Sequence, residues 1–451
     1  MELGGLTGGS PIEERIVIVG GGVGGLACAL ALHRVGLKAV VLEQAPTLRA
    51  EGSALTLWTN AFRVLDILGI GDQLRKDHLS IEAYYFHDNN GKLLNNIRLA
   101  DCPQGPHELR AIERRILLDV LAEQLPPGTI RFNSRVKRIT KVDGVQGVTQ
   151  LELQDGTIYS SKIVVGVDGV NSVVAEWMGL PKAKIVGQVS VRGLAVFPDG
   201  QNFKPEVHYY VGKGTRGGVV PISTTKAYWF VNWNDWSSGP FKDPKLSKED
   251  SLKHVEGWSF LTPCIENTAI ENITKSSIKH RLNSHESSSQ VFDGVTLAGD
   301  ASHPSTPNLG QGACCALEDA IVLAQKLSGA LNPNTEILKT DQNSDGNINQ
   351  MVEDEKLRQR INTALLEFQA ERHERTHPLV VQAYNTGMLM QSDWSLVCFL
   401  RNWFIVPRIN RQTFLQHTLF DVGKLPMIDS KTTEDQCNHN LQRKSTIVCQ
   451  F

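Results

Sequence analysis

The stretch IVIVGGGVGGLACALALHRVGLKAVVLE at 16–43 constrains the fold more than any other part of the chain. Residues 16–19 are consecutive, apolar and rich in β-branching, as a strand buried on both faces requires. Gly20, Gly22 and Gly25 follow at GxGxxG spacing, and LACALALHRVG keeps helical spacing up to Gly36. Residues 38–42 then read as a second buried strand, closing a βαβ unit of about thirty residues. In that context Gly20 allows the tight turn, Gly22 lets backbone approach a pyrophosphate, and Gly25 lets helix and strand pack closely. Ala29 is a further small residue on the packing face. The phosphates would rest on free N–H groups at the helix N-terminus. Glu43, ending the second strand, is placed for the ribose hydroxyls of an adenosine.

The remaining bounds are broad. A chain of 451 residues holds two or three domains, or one with large insertions. A net charge of −2 leaves no polyanion footprint, so nucleic acid is not expected as a partner. The eight cysteines show no CxxC pair, which argues against a zinc site or disulfide scaffold and fits a reducing compartment. The opening MELGGLTGGSPIEER has no targeting pattern, and we expect a cytoplasmic protein. No run reaches the roughly 18–20 apolar residues of a membrane span. The nearest, WSLVCFLRNWFIV at 394–406, is broken by Arg401 and Asn402. It reads as a packed or partly exposed helix, with a weak monotopic membrane contact as the alternative.

Further along, IERRILLDVLAEQL at 112–125 is an amphipathic helix stopped by Pro126, and 129–165 carries short strands. From about 184 to 290 glycine, aromatics and alternation dominate, as in SVRGLAVF, EVHYYVG and AYWFVNW. That pattern predicts an antiparallel sheet inserted between pieces of the nucleotide domain. The expected division is 12–80, 105–183 and 285–330 for the nucleotide domain, and 81–104 with 184–284 for the sheet domain. A polar surface loop at 331–350, C-terminal helices over 351–425 and a flexible tail at 426–451 complete it. The polar stretch nearly fits a calcium loop through Asp341, Asn343, Asp345, Gly346 and Ile348, but Val352 holds the place of the closing Glu. A solvated loop is the preferred reading. Gly212, Gly214 and Gly217 repeat the GxGxxG spacing between two strand-like runs with no helix after them, so a hairpin explains them better.

Two later motifs complete the pattern. Asp168-Gly169 follows IVVGV, and Asp300 follows VTLAG; alone, a carboxylate at a strand end is more often a helix cap than a ligand. After Asp300, Pro304 and Pro307 break the chain and LGQGACCALEDAIVLA starts a new helix with glycines at its mouth. A helix N-terminus there would stabilise developing negative charge.

GxGxxG, then DG, then GDAxHxxxPxxGQG resembles the single-component FAD-dependent aromatic hydroxylases, the group that includes p-hydroxybenzoate hydroxylase. LRAEGSALTLWTNAFRVLDILGI, QLPPGTIRFNS and LGQGACCALEDA are similar to its plant branch, the salicylate hydroxylase-like and zeaxanthin epoxidase-like monooxygenases. The likeness covers roughly 12–325. It implies an α/β fold, a Rossmann-type FAD-binding domain with an inserted, mainly antiparallel substrate sheet and C-terminal helices. It implies that Gly20, Gly22, Gly25 and Glu43 hold the ADP half of tightly bound FAD. Arg49 and Arg114 would contact the flavin or its pyrophosphate, and Val136 would meet the adenine through its backbone. Asp168 would serve the region shared by FAD and NAD(P)H, and Asp300 the ribityl or pyrophosphate part. Pro307, Gly310, Gly312 and Ala313 would line the isoalloxazine. Two positions depart from the family pattern: Ala175 stands where the DG motif continues to an arginine, and Cys314 stands where an asparagine follows GxGx.

The resemblance implies that NAD(P)H reduces FAD, O₂ adds to give a flavin hydroperoxide, and one oxygen hydroxylates or epoxidises a small aromatic or isoprenoid-like substrate. No catalytic triad is then needed, and His303 is expected to pack and hydrogen-bond beside the flavin loop. A flavin oxidase, reductase or cyclase on the same fold is the alternative. Arg192, His208, Tyr210 and Trp229 are candidate pocket residues by strand alternation, against a reading in which they are ordinary sheet core.

Overall fold

A computed structural model describes residues 11–48, 54–142, 147–237, 239, 241, 243–282, 290–331 and 346–426. The apolar run at 16–19 lies inside strand Ile12–Val19, flanked by two parallel partners. Ile158–Gly166 pairs with it in register Val17↔Val164, and Val40–Leu42 in register Val17↔Val40. Val295–Leu297 adds outside Ile158–Gly166, and Ile130–Arg131 outside Val40–Leu42, both parallel. Burial on both faces is what β-branched runs of this kind are suited to. Ile16 and Ile18 enter one core with the helices, while Val17 and Val19 enter the other.

From Ile12–Val19 the chain moves first to one neighbouring strand and later to the other. That reversal creates a crevice outside the carboxyl ends of the strands, where doubly wound sheets bind ligands. Three helices stack over one face of the sheet: Val23–Arg34, Gly312–Leu331 and the long Gly346–Met390.

A second sheet has seven strands in the order Ile273–His280, Lys184–Val196, Lys226–Asn234, Thr215–Pro221, Glu206–Val211, Ala83–Asp88, Leu93–Arg98. Its pairings are antiparallel except that Glu206–Val211 runs parallel to Ala83–Asp88. One face packs on the nucleotide half through Phe86, Val207, Val220 and Tyr228. The other holds Val191, Trp229 and Val231 and is covered by helices Pro244–His254 and Leu261–Glu266, with Trp258 between them packing onto it. Ala54–Trp58 and Leu109–Glu113 make a separate antiparallel pair between the two halves, an element the sequence did not suggest.

The second glycine triplet is a hairpin between Glu206–Val211 and Thr215–Pro221, with Gly214 at φ +69. The long helix begins at Gly346, so 346–350 is helical where a loop was expected. Residues 332–345, including Asp341, Asn343 and Asp345 of the calcium-loop pattern, lie outside the described residues, as do Arg49 and 427–451. Among the described residues no helix is long and apolar enough to cross a membrane.

Candidate functional site

The glycines at the first strand end have three different surroundings. At Gly20, φ is +111 and a Cβ would lie 2.5 Å from the Val167 carbonyl oxygen, so only glycine fits the turn. At Gly25 a Cβ would lie 1.9 Å from the Gly20 carbonyl oxygen, which is the close helix–strand packing that spacing demands. At Gly22 a Cβ would meet nothing within 4 Å. Gly22 caps helix Val23–Arg34 without any side-chain hydrogen bond. The first-turn N–H groups therefore have no protein acceptor from a cap, which suits an anion in front of them. Glu43 is buried; its Oε2 accepts the Gly21 N–H at 2.8 Å and its Oε1 accepts the Ala45 N–H at 2.7 Å. A carboxylate has about four lone-pair directions, so both oxygens can still accept ribose hydroxyls. Val136 is buried beside this strand end; Ser134 donates to the Glu43 carbonyl at 2.8 Å.

Asp168 follows the neighbouring strand and abuts Gly20. Its Oδ2 accepts the Val173 N–H at 2.7 Å and so helps to cap helix Val173–Trp177, as a strand-end carboxylate often does. Its Oδ1 is buried without a partner among the described residues, and burial pushes the carboxyl above its ordinary range. Ala175, the departure from the family arginine, is buried in that short helix.

The second glycine-mouthed helix, Gly312–Leu331, packs alongside the first, with Gly24 close to Ala316. Asp300 stands at its mouth: a Cβ on Gly312 would lie 3.7 Å from Asp300 Oδ1. Asp300 is open to solvent, yet desolvation raises its carboxyl. Both hold because the residue lines a crevice, reachable by water but walled by protein. The charges of Arg114 and Arg192 act on the same carboxylate in the opposite sense. Pro307–Leu309 is a short 3-10 turn ending in Gly310 at φ +62, where a Cβ would lie 2.9 Å from Trp58 Nε1. Ala313 is partly buried against the core behind. Cys314 is fully buried, and burial pushes its thiol up to about 12, so it stays protonated and packs.

Of the four pocket candidates only Arg192 turns toward the nucleotide half. Its neighbour on that face, Leu194, packs on the core below, while Val191 and Ala195 face the covering helices. Arg192 Nη2 donates to Ser276 Oγ at 2.8 Å, and its Nε is buried without a partner among the described residues. His208, Tyr210 and Trp229 lie on the opposite face, and the structure corrects their pocket reading to sheet core. His208 stacks on Phe260 at 3.7 Å, Tyr210 on Trp258 at 4.9 Å, and Trp229 donates to Thr268 Oγ1 at 2.8 Å. Alternation groups residues by face but does not say which face fronts the crevice.

The sequence reading also missed a buried ionic cluster under the Asp300 loop. Arg372 donates to Asp319 Oδ1 (2.6 Å) and Glu318 Oε2 (2.7 Å); Arg375 donates to both Glu318 oxygens. Asp319 Oδ2 accepts the Gly299 N–H and His303 Nε2, each at 2.7 Å. Asn60 links Glu318 (2.6 Å) to Gln311 (2.9 Å). Both loop segments flanking the crevice, 299–303 and 310–312, are thus tied to one charged unit. Two acids inside the apolar run ALEDAIVLA were the available signal.

Burial works against both ions, but the pairing prevails: Asp319 is held well below the carboxylate range, chiefly by His303 and Arg372, and His303 is raised by Asp319. A raised histidine contributes fully below its unfolded value of about 6.5 and loses that contribution as pH rises through the folded value. The lowered Asp319 and Glu318 contribute above about pH 4 and lose it as pH falls. His303→Gln is therefore expected to cost about 1.5–3 kcal/mol near pH 6 and less in alkaline solution. Thermal unfolding of both proteins across pH checks this; a gap that widens as pH rises contradicts it.

The family model described as an FAD binding domain matches residues 13–355. Monooxygenase 2 of Arabidopsis thaliana is 32% identical over 420 residues, covering 92% of this chain and 98% of that protein. The chain belongs to the FAD-dependent monooxygenases. Monooxygenase 1 of the same plant is 31% identical over 419 residues, covering 92% of this chain and 100% of that protein. Among solved structures, Klebsiella pneumoniae HpxO complexed with FAD and uric acid matches at TM-score 0.71 and 22% identity, over 88% of this chain and 92% of that one. That last match is a likeness of fold. As an FAD-dependent monooxygenase the protein is an oxidoreductase, and its crevice fits the cofactor. The open space before Gly22, and Asp168 Oδ1, Trp58 Nε1 and Arg192 Nε, which have no partner among the described residues, are what an absent polar ligand would leave.

Proposed function

We propose that this flavoprotein uses NAD(P)H and O₂ to hydroxylate or epoxidise a small aromatic or isoprenoid-like molecule. The observation that carries the reading is the meeting of two glycine-mouthed helix N-termini, at Gly22 and Gly312, around the Asp300 crevice under the seven-stranded sheet. Gly20, Gly22, Gly25 and Glu43 would hold the ADP half of FAD, with Val136 beside the adenine and Asp168 near the pyrophosphate. Arg114 and Asp300 would hold the middle of the cofactor, and Pro307, Gly310, Gly312 and Ala313 its ring. Arg49 belongs to the same proposal on family resemblance alone. Bound FAD supplies the redox and oxygen chemistry.

The chain's own contribution is positioning and electrostatics. The N-terminus of Gly312–Leu331 would favour negative charge on a flavin ring held beside Gly310 and Gly312. The apolar inner face of the sheet, with Leu194, Tyr228 and Phe230, would help to exclude water above the crevice once cofactor and substrate fill it. On that face Arg216 is held by Tyr209 and Gln391 and Lys226 by Glu113, and we assign Arg192 to a polar group of the substrate. A uric acid ligand in the HpxO neighbour supports a small, polar-edged ring as the substrate class.

Ala175 favours a second reading, because a buried methyl offers no charge to a nicotinamide cofactor. The purified protein is expected to show a flavin absorbance spectrum that NADPH or NADH bleaches and air restores. A protein unable to take up FAD contradicts the flavoenzyme assignment. Flavin that binds but resists both nicotinamides, with and without candidate substrates, favours an oxidase or cyclase.

A further inference from the structure

The segment after the long helix is built inside out. Trp394 is 74% exposed, Leu396 69%, Phe399 51%, Leu400 41%, Trp403 60% and Phe404 49%. Positions 396, 399, 400 and 403 form a helical stripe that ordinarily faces a core. Here the inward side belongs to Arg401, which is buried and donates to the carbonyls of Met390 (2.7 Å) and Gly212 (3.0 Å) and to Asn402 Oδ1 (2.8 Å). Asn95 donates to the Val406 carbonyl at 2.8 Å, and Gly214 to that of Ser392 at 3.0 Å. The exposure is therefore enforced by hydrogen bonds at both ends and in the middle. With about 200 Å² on each large side chain, the patch presents on the order of 700 Å² of apolar surface, above the few hundred usual on a monomer.

Its rim is basic. Lys92 lies over the Trp403 ring at 5.2 Å, Arg408 over the Phe404 ring at 5.5 Å, and Lys213 donates to Ser395 Oγ at 3.3 Å. Among the described residues, none of these three cations has a carboxylate within ion-pair distance, while Asp393 at the segment's start is hydrogen-bonded by Asn234.

We infer that residues 394–408 form a monotopic docking face for an anionic lipid bilayer. Ser395–Leu400 is α-helical and Arg401–Ile405 continues it as a π-helical turn; together they span only about 16 Å and would lie flat on a bilayer, with tryptophan at each end as interfacial anchors. Such a helix buries its apolar side to the depth of the headgroups while cations meet anionic lipid. A second copy of the chain fits less well, since a two-fold contact would bring the unpaired cations of both copies together. Arg401 and Asn95 tie the segment to the seven-stranded sheet, so docking would hold that sheet at a fixed orientation to the bilayer.

Flotation of the intact flavoprotein with vesicles of phosphatidylcholine alone, or mixed with phosphatidylserine, tests this. Binding to the mixed vesicles, weakened by salt, is expected, with a blue shift of tryptophan emission. The Trp403→Ser/Phe404→Ser variant should bind at least about tenfold more weakly, and Lys213→Ala roughly five-fold more weakly. Both variants should keep the flavin content and unfolding temperature of the wild type, because the substituted side chains are exposed. Failure to float with either vesicle overturns the inference. A wild-type dimer that the double variant converts to monomer assigns the face to a second copy and overturns it equally.

Discussion

Gly22→Ala is expected to abolish tight FAD binding while leaving the apoprotein as stable as the wild type. The residue sits at φ −78 with open space where its Cβ would go, so an alanine is accepted by the backbone and meets no protein atom. That space is where the pyrophosphate must approach the helix N-terminus, and a methyl group there pushes it away from the N–H donors. A misfit of that kind costs about 1–3 kcal/mol, or roughly ten- to a hundred-fold in FAD affinity. Gly25→Ala is the control with the opposite signature. Its Cβ would lie 1.9 Å from a backbone oxygen that cannot rotate away, so the first helix must shift off its strand. We expect the apoprotein itself to lose about 3 kcal/mol or more. Flavin titration and apoprotein unfolding together separate the two. Equal stability losses in both variants would contradict a binding role for Gly22.

Arg372→Ala should be the most damaging single substitution away from the glycine turn. It leaves Glu318 and Asp319 buried, with Arg375 and His303 as their remaining charged partners. Breaking a buried pair in this way costs about 3–5 kcal/mol. Because Asp319 also holds Gly299 and His303, the Asp300 loop loosens, and FAD should be retained less well than the stability loss alone explains. Arg375→Ala should cost less, since Arg375 is partly exposed and Glu318 keeps both Arg372 and Asn60. Denaturant unfolding with and without added FAD measures both effects. An Arg372→Ala protein of wild-type stability would show that the cluster is dispensable.

What the amino-acid sequence determined on its own is local and backbone-driven. The turn at Gly20, the packing at Gly25 and the opening at Gly22 all lie within one contiguous βαβ unit. At Gly20 and Gly25 the requirement is steric within the chain and only glycine meets it, while at Gly22 it is the approach of a pyrophosphate to the backbone that calls for glycine. The same holds for Gly310 at the mouth of the second helix, where φ is +62 and a Cβ would lie 2.9 Å from Trp58 Nε1, and for the hairpin reading of Gly212, Gly214 and Gly217.

Three features were settled only by the tertiary structure. Alternation placed His208 and Tyr210 on one face of a strand, but the choice of face depends on which layer each side packs against, and they went to the covering helices. Arg372 is 53 residues from Asp319, so the two acids in ALEDAIVLA signal that a buried partner is needed but do not say which residue supplies it; that is decided by the packing of the long helix across the Gly312–Leu331 helix. The segment 394–406 read in sequence as a packed or partly exposed helix, with monotopic membrane contact as the alternative, and only the structure shows that its aromatic stripe faces outward. Its polarity was reversed because Arg401 found backbone carbonyls inside the protein, and a helix with one face pinned has no choice about where the other face points.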